Sequence, residues 1–278
     1  MLLATVLALT AAVIHAGWNF VAKRAEGDRY LVLWAQFFAA GVISLPLMIA
    51  NELIWGMPWQ VYAWATASGL MHLPYLSLLA RAYDTGDFSV SYPIARGGGA
   101  ALAALGGVLF LGDHLGVWEV VGIAVVVCGL TLLAAGATGP NVALALAVAA
   151  TIGTYTVLDA KGARLSDSIA YIFATQVAGG VVNTVYALAR GKRAGMEQMI
   201  RLRWRRAAIT GVATMVTYGL VLVAVQRASV GYVTALRESS VIIAALAGWK
   251  FLGEEDHRRR LTAALVVFCG LLVLVFGY

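Results

Sequence analysis

YPIARGGGAALAALGGVLFLGD, residues 92–113, runs from an arginine through small and apolar residues to a Phe-Leu-Gly-acid ending, and VTALRESSVIIAALAGWKFLGE, residues 233–254, repeats that design. With the chain shifted by 141 positions, Arg96 falls on Arg237, Gly107 on Gly248, and Phe110, Leu111 and Gly112 on Phe251, Leu252 and Gly253. Farther on, VVVCGL falls on VVFCGL, bringing Cys128 onto Cys269. Fifteen identities fall in the 41 ungapped positions from 96 to 136. Shared alanines could be compositional, but aligned arginines and cysteines are not, so the chain reads as one unit used twice.

Outward from this stretch the sequence stays apolar. Hydrophobic residues make up 61% of the chain and charged residues 12%, with a mean hydropathy of +0.83. Soluble domains carry about 25% charged residues, which excludes an ordinary aqueous surface. A hydrocarbon core of ~30 Å takes about 20 helical residues to cross. Ten runs of that order occur, near 2–22, 30–50, 59–80, 88–111, 117–137, 141–160, 168–189, 207–226, 229–251 and 260–277. They are too long and too uniformly apolar for barrel strands, and lipid leaves backbone groups no partners outside the helix itself. The fold class expected is an all-α integral membrane protein of ten transmembrane helices. The first run has no basic leader and no small-residue cleavage site, and reads as a retained helix rather than a signal peptide. Cys128 and Cys269 lie inside apolar runs and are expected to be small packing residues.

The two copies divide the chain into units at 1–137 and 138–278, each with five helices. An odd number makes the second unit enter the membrane from the opposite side, so the pair is expected to be inverted, a design common among carriers that alternate access around a midplane site.

The net charge of +6 follows topology and does not point to nucleic acid. Of 20 Lys and Arg residues, 15 fall after the first, third, seventh and ninth runs, and only Lys161, Arg164 and Arg227 fall on the other side; Arg96 and Arg237 remain within runs. By the positive-inside rule, the rich side is cytoplasmic and both termini are non-cytoplasmic, in the cell (inner) membrane. The basic segment RGKRAGMEQMIRLRWRR, residues 190–206, is expected to be a topological anchor, with anionic headgroups as an alternative partner.

Several passages carry a family resemblance: HAGWNFVAK in the first run, SYPIARG leading to FLGD in the fourth, and ALRESSVIIAALAG leading to FLGE in the ninth. With the five-plus-five pattern, the chain resembles the EamA-type branch of the drug/metabolite transporter superfamily over its full length. The resemblance implies carriage of a small molecule and leaves the substrate open among amino acids, other metabolites, amines and sugar-linked compounds. Ten-helix members of the superfamily can work as monomers; here monomer and homodimer both remain open.

Arg96 shares a helical face with Gly99, Ala100, Ala103 and Gly107, and Arg237 has the same relation to Ser240, Ala244 and Gly248. Small residues favour close helix packing, so both arginines are expected to point into the bundle. A charge near the bilayer centre costs ~3 kcal/mol on insertion scales and persists with a partner or a wet cavity. Two readings follow: the guanidinium groups hold an anionic substrate, or they pair with Glu238, Asp159 or backbone carbonyls. Glu238 and Asp159 are the candidates for proton coupling, since a carboxylate in an apolar cavity is the group a proton-driven carrier needs.

His15, Trp18 and Asn19 form one face of the first run, and Tyr155 occupies the matching place in the sixth. His72 and Tyr75 flank Pro74, a candidate gate kink; Tyr92 precedes Arg96 by one turn, and Tyr218 lies within the eighth run. These are the expected cavity lining, where rings could stack or cradle an amine, or simply pack. Trp34, Trp55, Trp59, Trp64 and Trp118 lie near run ends and fit an interfacial belt. Gln176 and Asn183, seven apart, are expected to bond between helices.

No GK[ST] follows the glycine-rich ARGGGAALAALGG, so ATP is not expected to drive the protein. His114 and His257 lie in loops without a ligand pattern, and neither a G-x-S-x-G nor an H-E-x-x-H motif occurs. No cofactor and no metal are expected. The function expected is a secondary active exporter of a small metabolite such as an amino acid or related organic anion, working with the lipid bilayer and with protons as a coupling ion. A carrier of amines or choline-like cations is the alternative within transport. A lipid-linked metabolite flippase and a membrane-embedded enzyme are the alternatives outside it.

Overall fold

The computed structural model describes residues 2–112, 116–134, 139–165, 168–225, 236–254 and 256–276, and its elements there are all helical. They are α1 (Leu2–Lys23), α2 (Arg29–Ile54), α3 (Trp59–Thr85), α4 (Phe88–Gly106, extended by a π turn over Gly107–Leu111), α5 (Val117–Ala134), α6 (Gly139–Ala163), α7 (Ser168–Ala189), α8 (Arg193–Val225), α9 (Ser240–Leu252) and α10 (His257–Phe276). Five of these, α1, α2, α4, α6 and α7, are by length and composition apolar enough to cross a membrane. Apolar side chains such as Val13, Val42, Leu70, Val181 and Val185 face outward, where a lipid solvent costs nothing.

Three elements depart from the sequence expectation. The basic segment expected as a loop is the first part of α8, bent at Arg203 (φ −128°, ψ 15°); Met196 is buried and Met199 packs on the core, which gives that turn an apolar side to anchor. The ninth run is broken at Glu238 and Ser239. There Val241 N–H bonds to Glu238 O and Ile242 N–H to Ser239 O, tight i→i+3 turns in place of the helical ladder. The last turn of α4 widens into the π segment. The start of the ninth run, including Thr234, and Arg227, Asp113 and His114, lie outside the described residues.

Two expectations about single side chains are corrected. Trp34 is fully buried and its Nε1 donates to Thr184 Oγ1 at 2.9 Å, so it is a packing residue and not part of an interfacial belt; Trp55, Trp59 and Trp118 are exposed. Cys128 and Cys269 are exposed on α5 and α10, because the glycine beside each takes the contact: a Cβ on Gly129 would stand 2.7 Å from Val267, and one on Gly270 2.6 Å from the Val126 nitrogen. Asn183 does bond between helices, receiving Tyr30 Oη at 3.2 Å.

Packing joins the first five helices to the last five. The pairs α5 with α10, α2 with α7 and α4 with α9 are in contact, α4 lies on α6 as α9 lies on α1, α3 on α6 as α8 on α1, and α2 on α8 as α7 on α3. Glycines set the closest approach: a Cβ on Gly99 would fall 2.5 Å from Ile152 Cγ2, and one on Gly153 2.7 Å from Leu102 Cβ, so α4 and α6 meet nearly backbone to backbone. Gly112 (φ 74°) and Gly253 (φ 65°) end α4 and α9 in the left-handed region, each donating its N–H to the glycine five residues earlier, Gly107 or Gly248. These are paired positions of the sequence repeat.

Candidate functional site

The close approach of α4 to α6 carries Arg96 into the middle of the bundle, where it is 4% exposed. The break before α9 turns Glu238, 1% exposed, toward it. The guanidinium donates through Nε to Glu238 Oε2 at 3.2 Å and through Nη2 to Oε1, a forked pair that satisfies both carboxylate oxygens. Arg237 Nε stands 3.7 Å from the same Oε1 without a hydrogen bond. One carboxylate thus faces two guanidinium groups, and the centre keeps one surplus positive charge.

Two aromatic groups flank this centre. On the α1 side, His15 meets Trp18 edge-on with centroids 5.0 Å apart and Tyr92 at 6.3 Å. His15 Nε2 and Trp18 Nε1 are buried without a hydrogen-bond partner. Asn19 bonds to His15 O and accepts from Tyr83 Oη, both at 2.8 Å. On the α3 and α6 side, His72 stacks on Tyr155 at 4.5 Å, with Tyr75 5.6 Å from Tyr155 and Phe37 5.4 Å from His72. Tyr75, Tyr92 and Tyr155 all interact electrostatically with Arg96, and His15 with both arginines.

One helical turn beyond Tyr155 on α6 lies a second acid. Asp159 accepts from Tyr171 Oη at 2.8 Å and from Tyr218 Oη at 3.5 Å, which satisfies it locally. The candidates named from the sequence therefore fall into one central cluster of Arg96, Arg237, Glu238, Tyr92, His15, Trp18, Asn19, His72, Tyr75 and Tyr155, with Asp159 and Tyr218 paired to each other one turn beyond Tyr155. Sequence reasoning missed Phe37, which sits unmarked in an apolar run. It also missed Tyr83, which continues the stripe of His72 and Tyr75 along α3 at helical spacing and was legible there.

A third polar group closes the end of the bundle where the basic loops meet. Glu254 accepts the backbone N–H groups of Phe88 and Ser89 at 2.6 and 2.9 Å, capping α4 from another part of the chain. Arg260 donates to Asp87 Oδ2 at 2.7 Å, Ser89 Oγ at 2.8 Å and Glu254 Oε2 at 3.3 Å. Lys23 donates to Tyr83 O at 2.7 Å, and Phe20 lies against Phe88 and Phe251. No group of three or more metal-ligating side chains occurs among the described residues.

The EamA-like transporter family matches residues 140–276. A crystal structure of a protein 16% identical in sequence shares the fold, with a TM-score of 0.60 over 98% of this chain and 98% of its own. No curated protein matches the chain.

Proposed function

Since this chain belongs to the EamA-like transporter family and is an integral membrane transporter of the drug/metabolite transporter superfamily, we propose that it carries a small metabolite bearing one anionic group, such as an amino acid or related organic anion. Transport would run by alternating access as a secondary active exporter. The observation that carries the substrate class is the surplus guanidinium of Arg237 beside the Arg96–Glu238 pair. A guanidinium whose side chain is only 19% exposed and whose Nε has no hydrogen-bond partner is costly without a counterion, and a substrate carboxylate supplies one.

The same geometry suggests the coupling. An arriving carboxylate competes with Glu238 for the two guanidinium groups, and the displaced Glu238 takes up a proton, so substrate and proton occupy the centre together and are carried together. Residues 1–137 and 138–278 would be inverted halves rocking about this centre. That reading is supported by the pairing of helix contacts across the two halves and by the matched left-handed ends at Gly112 and Gly253. The cytoplasm would lie on the basic side. A second reading, an amine carrier, is favoured by the rings of His72, Tyr75, Tyr155 and Phe37.

The test is the melting temperature of the purified protein against amino acids, organic acids, phosphonates and quaternary amines. A ligand at ~100 times its Kd adds about 2.7 kcal/mol of stability. An anionic ligand is expected to stabilise the wild type and not Arg237→Ala, and Glu238→Gln is expected to keep exchange in proteoliposomes while losing its dependence on a pH gradient. Stabilisation by cations alone, or an equal response from Arg237→Ala, would move the assignment to the aromatic rings.

A further inference from the structure

The basic end of the bundle treats its arginines in two ways. Arg29 pairs with Asp84, Lys192 with Asp28, Arg193 with Glu197, Arg259 with Asp256, and Arg260 with Asp87 and Glu254. Arg24, Arg201, Arg203, Arg205 and Arg206 have no carboxylate partner among the described residues, and all five line one open concavity of about 700 Å³ between the α1–α2 corner and the bend of α8. Glu26 is the one acid in its wall among the described residues. The bend builds the site: leaving helical geometry at Arg203 lets its Nη1 donate to Glu26 O at 3.2 Å, holding the corner against α8.

We propose that this concavity binds the phosphate headgroup of an anionic phospholipid. Five guanidinium groups against one carboxylate leave a strong local excess of positive charge, and forked guanidinium donors match phosphate oxygens. The rim favours a lipid over a free phosphate. Leu202 and Trp204 are 65% and 57% exposed, the Arg205 guanidinium lies 5.6 Å from the Trp204 ring, and beyond the bend α8 turns apolar. An indole and a leucine at the mouth of a basic concavity, where a helix enters the bilayer, belong at headgroup depth. Because α1 and α8 lie in different halves of the chain, a headgroup held here would clamp one half to the other.

The experiment measures retention of phosphatidylglycerol against phosphatidylcholine on the full-length protein by native mass spectrometry, with inorganic phosphate as a soluble competitor. Wild type is expected to retain phosphatidylglycerol selectively, and the triple variant Arg201→Gln, Arg205→Gln, Arg206→Gln to lose affinity on the order of a hundredfold, from roughly fivefold per basic residue. The charge-matched variant Arg81→Gln, Arg190→Gln, Arg258→Gln, on the same end but outside the concavity, is expected to bind as wild type. Glu26→Gln is expected to bind more tightly, a gain that misfolding cannot mimic. Equal losses in both triple variants, an unchanged Arg201/Arg205/Arg206 variant, or full displacement by inorganic phosphate would each overturn the proposal.

Discussion

Glu238 is the side chain on which the centre depends, because removing it strands the buried Arg96 and the half-buried Arg237 without that carboxylate, whereas removing Arg96 leaves Glu238 still beside Arg237. Breaking a buried pair from the side that strands a charge costs about 3–5 kcal/mol. Glu238→Ala is therefore expected to lower stability by about that amount and Arg96→Met by less; unfolding monitored in detergent checks the order, and a larger loss from Arg96→Met would contradict it. The arginines were legible in the sequence because the repeat aligns them and charge is rare in these runs. Their difference in role was not, since which of two equivalent arginines takes the carboxylate depends on a backbone break at Glu238 that no residue pattern announces.

Among the elements, α4 and α6 fit closely, and Gly99 is where it shows. Any side chain there meets Ile152, and overpacking costs about 1–3 kcal/mol. Gly99→Val is expected to lower the melting temperature and to displace Arg96 from Glu238, so that anion-dependent stabilisation weakens along with the fold. Loss of stability with ligand response intact would show that α4 can shift without disturbing the centre. Helix positions followed from hydropathy almost everywhere. The exception at residues 193–206 has a physical cause: its arginines make the segment polar on average while Met196 and Met199 still give it one apolar side, and an average over the window conceals a face.

At the scale of the whole molecule, the network of Glu254, Arg260, Asp87 and Ser89 ties the α9–α10 corner to the start of α4 at the basic end. Glu254→Ala is expected to release that end, measured as faster labelling of Ser91→Cys by a membrane-impermeant thiol reagent added from the basic side; an unchanged rate would show that the aromatic layer of Phe20, Phe88 and Phe251 closes the end by itself. The sequence does not repeat this network in the other half. The positions matching Arg260 and Asp87 under the 141-residue shift are Glu119 and Ala228, which cannot rebuild it. Two identical inverted halves would give a carrier whose two end states are superimposable and equal in free energy, with no resting orientation of its own. A latch present at one end only lifts that degeneracy, giving the empty protein a default orientation and its working cycle a starting point.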